Sequence, residues 1–407
     1  MRNIFKLLDY IESYDRRLIS PVGGGSVVKF LATLKDKEIK EEEKIAKWLN
    51  FQSTEYGHDF LDSGISNGEF FSYLNLKTYR DKNGFENVVE GQIKNIDDIK
   101  KLKRINYLKK LKESPSIKAV TEFKKISNKL VGGGYFGPIT ITSIVLGVDN
   151  FLKSCIKNPE LVEACTKFFS EVLMEMAYEY EKAGSDYFLL GEPTSIMLSP
   201  KHFREYSGEH IRQIFSRISI PGFIHVPGNS SHLIKEFLYT GAQCLSIDSH
   251  VETKKLLYTV PRDVIILGNI NTISLLMEPP ESIEEKVHKL NLDIKNFQNY
   301  VVSSGGGIIE GTSDDNLKIL FDKTQEFSVW SKNEYLLIQR IWDLIKGEEV
   351  AELENLIKDK KPSKEVLDSS LAEMESYLEF KAKESEQNYY VSMDKLKIVS
   401  KIKAKYI

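Results

Sequence analysis

Along this chain, short apolar runs end repeatedly in a glycine or a polar residue, and the stretches between them keep helical spacing. The clearest run is Pro221-Gly222-Phe223-Ile224-His225-Val226-Pro227-Gly228-Asn229, a short strand that delivers one histidine to a Pro/Gly turn. Cys244-Leu245-Ser246-Ile247-Asp248, Val264-Ile265-Ile266-Leu267-Gly268-Asn269 and Tyr300-Val301-Val302-Ser303-Ser304-Gly305 repeat the design. Earlier in the chain, Leu18-Ile19-Ser20-Pro21-Val22 reads as a first strand running into Gly23-Gly24-Gly25, and Phe70-Phe71-Ser72-Tyr73-Leu74 as another strand. Asp81-Lys82-Asn83-Gly84 suggests a hairpin, Lys129-Leu130-Val131 opens into Gly132-Gly133-Gly134, and Asp186-Tyr187-Phe188-Leu189-Leu190 leads to Glu192-Pro193. Helical patterns cover residues 3–17 and 41–49. A long helix begins at Asn158-Pro159-Glu160, with proline at its first position and Leu161, Cys165, Phe168, Phe169, Val172, Leu173 and Met176 on one face, and Ser199-Pro200 starts another.

From residue 129 to about 312, strand and helix therefore alternate, which predicts a parallel sheet. Polar residues at successive strand C-termini sharpen this to an α/β fold, a TIM (β/α)8 barrel over residues 1–330. Gly132-Gly133-Gly134-Tyr135-Phe136-Gly137 also spells the GxGxxG of a dinucleotide-binding sheet, but any glycine-rich turn can satisfy it, it sits mid-chain, and Pro138 opens the next segment. Residues 331–407 carry four further helical segments and form a C-terminal helical bundle.

Composition narrows the partners. The 407 residues hold 56 Lys and Arg against 59 Asp and Glu, so a net charge of −3 gives no reason to expect nucleic acid or an acidic membrane. The lysines from Lys100 to Lys110 read as a solvated helix face. Cys155, Cys165 and Cys244 lack metal or disulfide spacing; with acids early in the N-terminus and no run long enough to span a bilayer, the expectation is a cytoplasmic protein.

Glu192, His225, Asp248 and Glu310 all fall at predicted strand ends, so a barrel would gather them at one mouth. A histidine with carboxylates can ligate a divalent metal or serve as general acid and base; equally, the histidine can be a buried hydrogen-bonded residue and the acids helix caps. The glycine triplets at Gly23, Gly132 and Gly305 leave room for a bulky ligand or serve tight turns. Cys244 reads as core. His58, His202, His210, His232, His250 and His288 read as surface or supporting residues, and Arg204, Arg212 and Arg262 as helical or peripheral.

With these residues placed, the chain resembles the uroporphyrinogen decarboxylase and cobamide-dependent methyltransferase superfamily from about residue 20 to 320. The resemblance is carried by Gly137-Pro138, Leu146-Gly147, Asn158-Pro159-Glu160, Ala183-Gly184-Ser185-Asp186 leading to Glu192-Pro193, and Leu198-Ser199-Pro200-Lys201-His202-Phe203. It continues through His225-Val226-Pro227-Gly228-Asn229, Ser246-Ile247-Asp248, Leu267-Gly268-Asn269, and Gly305-Gly306-Gly307-Ile308 before Asp315-Asn316. It implies a barrel with its site at the C-terminal mouth, His225, Glu192 and Asp248 as catalytic residues, and Asn269, Gly305 and Gly306 on the cofactor side. The decarboxylase branch has an arginine-rich segment after the first strand, absent here, so the carboxylates of a uroporphyrinogen would lack partners. The methylcobamide:coenzyme M methyltransferase branch binds zinc through a histidine, a cysteine two residues later and a distant cysteine. Here His225 matches, whereas Pro227 and Gly306 stand at the cysteine positions, so a metal would draw on acids such as Glu192, Asp248 or Glu310.

The tail resembles the helical cap of corrinoid proteins, with Tyr389, Tyr390 and Met393 at the positions that cover a corrin; a bundle packing on the barrel or on a dimer partner would need similar apolar faces. The resemblance thus implies corrinoid-dependent methyl transfer between a small methyl donor or acceptor and a cobamide carried by this chain or a partner corrinoid protein. The other readings are a decarboxylase-like lyase and a non-catalytic corrinoid-binding or scaffold homologue.

Overall fold

Apolar runs bounded by turn residues place strands in register, and the computed structural model, which describes residues 4–22, 39–80 and 86–407, assembles most of them into one sheet. The strands are β1 (Phe60–Asp62), β2 (Thr78–Arg80), β3 (Glu86–Val88), β4 (Leu130–Phe136), β5 (Phe188–Gly191), β6 (Gly222–Val226), β7 (Cys244–Ile247), β8 (Ile265–Ile270) and β9 (Tyr300–Ser304). Seven pair in parallel in the order β1-β4-β5-β6-β7-β8-β9, while β2 and β3 form the separate antiparallel hairpin. The hairpin turn and the glycine triplet at Gly23 lie outside the described residues.

Residues 18–20 close the ring. The Val302 N–H donates to the Leu18 carbonyl at 3.0 Å and the Ser20 N–H to the Val302 carbonyl at 2.8 Å, while the Asp59 N–H reaches the Ile19 carbonyl at 3.0 Å. The first segment therefore bridges β9 and β1, and the sheet is a barrel rather than an open fan. The wholly buried Asp59 carboxylate reinforces this seam. It accepts two hydrogen bonds from Arg16, at 2.8 and 2.9 Å, one from Lys129 Nζ at 2.7 Å and one from the Ile19 N–H at 3.0 Å.

Side chains alternate across each strand, so one face fills the barrel and the other meets the helices. Leu18, Phe60, Leu130, Tyr187, Phe223, Cys244, Ile265, Leu267 and Val301 form one interior cluster, joined by Ile4, Leu7 and Ile11 of the helix Ile4–Glu12. Most of these residues sit early in their strands, so the N-terminal end of the barrel is apolar and plugged. Gly132 belongs to this packing, and Gly133, on the opposite face, to the packing of β4 against the helix Pro159–Lys182. A Cβ on Gly132 would sit 2.0 Å from the Tyr187 ring, and one on Gly133 1.9 Å from the Tyr180 ring. The expected ligand room at this triplet is thus taken by two tyrosines, and the GxGxxG match lies largely inside a strand.

The long helix is Pro159–Lys182, and its predicted apolar face is buried. The segment around Phe70 is a helix, Asn67–Tyr73, rather than the expected strand. Ser66 caps it by accepting the Glu69 N–H, while the Glu69 carboxylate takes Tyr73, Ser114 and Ser116 hydroxyls. These side-chain bonds from a different helix override the short apolar pattern. Two histidines expected near the surface, His58 and His210, are buried.

Four helices, Lys332–Lys346, Val350–Lys360, Lys364–Ala382 and Glu386–Tyr406, form the C-terminal bundle. Its anchors cluster at the turns entering β8 and β9 and on the helix Thr253–Thr259. Asn296 donates to the Ser369 carbonyl, Tyr335 to the Lys295 carbonyl, and Lys254 and Tyr258 meet Glu373. Arg262 is not peripheral: its guanidinium lies between the Phe297 and Trp342 rings, at 4.5 and 4.2 Å, clamping barrel to bundle. Among the described residues, no single helix is long and apolar enough to cross a membrane.

Because Asp59 neutralises two cations at the seam, Asp59→Ala is expected to cost about 3–5 kcal/mol, the usual result of stranding a buried charge. Urea unfolding at neutral pH measures this; a loss below about 1 kcal/mol would show that the backbone pairing of residues 18–20 holds the ring unaided.

Candidate functional site

The barrel's interior alternation continues past its apolar plug and changes chemistry at the C-terminal ends. Asp62 follows Phe60 on the inward face of β1, and Phe136 ends the inward row of β4. His225 follows Phe223 on β6, Ser246 follows Cys244 on β7, Asn269 follows Leu267 on β8, and Ser303 follows Val301 on β9. The parallel register sets His225 beside Gly191 on one side and Ser246 on the other. His225 Nδ1 lies 2.9 Å from Ser246 Oγ, and among the described residues no hydrogen bond reaches Nε2. Burial lowers the His225 pKa to about 4 although the charge of Asp248 acts the other way, so the ring is neutral near pH 7.

Asp62 is the functional candidate that the pattern of apolar runs did not reveal. Its three-residue strand is too short to register as a periodic element, although Asp59-Phe60-Leu61-Asp62-Ser63-Gly64 does repeat the motif of an apolar pair ending in a polar residue. The side chain meets solvent yet is ringed by protein, as befits the floor of a concave mouth. That enclosure pushes its pKa up to about 6, and among the described residues no donor satisfies its carboxylate. The hydroxyls of Tyr180 and Tyr187 donate to the carbonyls of Ser63 and Leu61, on either side of it.

Glu192 and Asp248 are occupied differently. The fully buried Glu192 carboxylate accepts the Ile139 and Thr140 N–H groups and the Thr140 and Ser207 hydroxyls, so it caps the helix Pro138–Leu146 and ties in the helical stretch after Ser199. Burial raises its pKa to about 6 against these hydrogen bonds. Its backbone N–H donates to the His225 carbonyl at 2.8 Å. Asp248 accepts the Gly228 N–H, the Ser249 hydroxyl, and the N–H and Nδ1 of His250. Burial works to raise its pKa, but these bonds together hold it below the ordinary value. Asn269 is likewise committed to scaffolding, donating to the Asp248 and Val251 carbonyls.

Gly305 packs on the Asp248-Ser249 backbone, whereas among the described residues nothing lies within 4 Å of a Cβ built on Gly306 or Gly307. This triplet, unlike the one in β4, leaves clearance. Glu310 is exposed on the same loop. Tyr389, Tyr390 and Met393 are exposed on the last bundle helix. Among the described residues, the hydrogen bonds and ion pairs that anchor the bundle come from the far end of the barrel and its side, and none joins it to the strand ends carrying His225.

The donor set does not fit a zinc ion. Pro227 and Gly306 offer no ligand, and among the described residues no three His, Cys, Asp or Glu side chains come together to hold a metal. The expectation of a metal on His225 and Glu310 thus gains no third ligand among the described residues. The described segments that link each barrel strand end to the next helix contain the carboxylates Asp62, Glu192, Asp248, Glu252 and Glu310, no arginine, and a single lysine, Lys40, exposed at the start of the helix Glu41–Phe51.

A closed parallel barrel with a polar C-terminal mouth defines the class, and comparison with known proteins gives the family. Residues 78–327 match the model of the uroporphyrinogen decarboxylase (URO-D) family, and the chain belongs to that family. It is 26% identical over 224 residues to methylcobamide:CoM methyltransferase MtaA of Methanosarcina barkeri, a match covering 52% of this chain and 64% of that relative. It is 24% identical over 252 residues to uroporphyrinogen decarboxylase of Prochlorococcus marinus (strain MIT 9515), covering 58% and 70%. A solved methyltransferase from Methanosarcina mazei shares the fold, with a TM-score of 0.66 at 19% identity over 80% of this chain and 99% of that one.

The two enclosed histidines predict an acid-sensitive fold. His225 and His58, the latter with its pKa lowered to about 3 by burial, stay neutral when folded but gain a proton below about pH 6.5 when unfolded. Their contribution to stability is thus complete above that pH and falls as pH drops toward 4. Urea midpoints at pH 7.5, 5.5 and 4.5 should decline less for His225→Asn than for the parent chain; parallel declines would contradict the lowered pKa.

Proposed function

We propose that this chain moves a methyl group between a small substrate held in the barrel mouth and a cobamide carried by a partner corrinoid protein. The observation that carries the reading is a neutral histidine at a strand's C-terminal end, its Nε2 without a hydrogen bond among the described residues, in a family whose relatives include a methylcobamide:CoM methyltransferase. The cobamide, when delivered, supplies or accepts the methyl group by in-line displacement. His225 Nε2 orients the substrate's reacting heteroatom or takes its proton, and Asp62, with a pKa of about 6, accepts or returns a proton near neutral pH. Glu192 and Asp248 hold the strand ends that carry these groups, and Gly306 and Gly307 leave backbone clearance for a large reagent.

Exposed apolar side chains on the short helices that follow two strands on the same face support docking of a partner at the mouth. Met197 follows β5, and Ile273 and Met277 follow β8, at 55%, 62% and 73% exposure. Tyr389, Tyr390 and Met393 offer a separate apolar surface on the bundle. The described segments that follow the barrel strands hold a single lysine, exposed Lys40, and no arginine, which weighs against a lyase for polycarboxylates.

The test is methyl transfer to or from a corrinoid protein, followed by the cobalt absorption bands. His225→Ala should slow transfer about 100-fold or more, the lower range for losing a general acid or base. Met197→Glu with Met277→Glu should weaken the partner complex about tenfold or more, equivalent to about 1.4 kcal/mol. A chain that neither binds a corrinoid protein nor moves a methyl group to or from one would sink the reading.

A further inference from the structure

The charges at the mouth point to a kind of substrate. Glu192 and Asp248 each already accept four hydrogen bonds, and Glu252 pairs with Lys255 at 2.7 Å. Asp62 is different: it sits on the inward face at the floor, with no donor among the described residues. The described segments that follow the barrel strands hold no arginine and a single lysine, Lys40, which is exposed at the start of the helix Glu41–Phe51. His225 is held neutral and does not repel a cation. On neighbouring β4, half-buried Phe136 occupies the inward row and lies 3.5 Å from where a Cβ on Gly191 would stand, so an aromatic face borders the same space.

We propose that the mouth binds a compact organic cation, an alkylated ammonium, with its charge on the Asp62 carboxylate and its alkyl groups against Phe136. This deepens the methyltransferase reading, and rests on it only in making the cation's methyl group the one transferred. A carboxylate in an enclosed site is costly to ionise alone, and a cation within about 4 Å repays that cost far better than it would in bulk water. Alkylammonium groups also lie favourably over aromatic faces.

The groups packed around Asp62 make its titration readable. Tyr180 and Tyr187 are raised well above 10 by burial and stay neutral, Glu69 beyond them is tied up by three hydroxyls, and His225 titrates near pH 4. A cation binds the ionised form of Asp62, so affinity should rise as pH increases from 5 to 7, with proton uptake by buffer on binding.

The probe is tetramethylammonium chloride, titrated calorimetrically into the full chain, with glutarate as the anionic control. The expected result is saturable tetramethylammonium binding at pH 7.5, at least tenfold weaker at pH 5 and in Asp62→Asn, with no glutarate binding. Phe136→Leu, which leaves the carboxylate untouched, should weaken binding severalfold and serves if Asp62→Asn does not fold. No saturable binding, equal binding at both pH values and in both variants, or preference for glutarate would overturn the proposal. Cation binding without any corrinoid-linked methyl transfer would overturn the methyltransferase reading and uphold this one. Methyl transfer from a neutral or anionic compound, with no cation binding, would do the reverse.

Discussion

A parallel sheet becomes a barrel only if its first strand pairs with its last, and in this protein that junction is short. Residues 18–20 make a few backbone bonds to β9 and β1, and the buried Asp59 carboxylate gathers Arg16, Lys129 and the Ile19 N–H around the same point. Everything at the other end depends on this closure. Only a closed ring turns the inward row of each strand toward a common axis, where the lower positions become an apolar plug and the upper ones a mouth.

The polar residues at that mouth divide by hydrogen-bond count. A carboxylate accepts about four hydrogen bonds before its lone pairs are used. Glu192 and Asp248 reach that number within the protein, and so become parts of the frame: one caps a helix behind His225, the other ties the loop after β6 to the loop after β7. His225 and Asp62 keep unused capacity. Enclosure moves their pKa values past each other, to about 4 and about 6, leaving a neutral ring and a carboxyl poised near neutrality.

The bundle is fastened elsewhere. Arg262 against Phe297 and Trp342 binds it to turns that precede strands, and Glu373 ties it to Lys254 and Tyr258 on the helix Thr253–Thr259. The mouth therefore keeps its own exposed apolar rim, while Tyr389 and Tyr390 remain exposed on a separate surface.

Local pattern by itself determined the positions of the barrel strands other than the three-residue β1, the long helix at Pro159 and the four tail helices, because apolar periodicity and Gly/Pro punctuation act over a few residues. The order of short motifs was enough to suggest the superfamily, and His225 was legible because a lone histidine ends an otherwise apolar strand. Only tertiary structure decided the rest, through contacts distant in sequence. Asn67–Tyr73 is a helix because Ser114 and Ser116 come to Glu69; Gly132 and Gly133 are filled because Tyr187 and Tyr180 pack on them; His58 is buried. Which carboxylates are consumed and which stay free was likewise unreadable, since the donors to Glu192 lie about fifty residues before it and fifteen after, and Asp62 is free because none of the described donors reaches it.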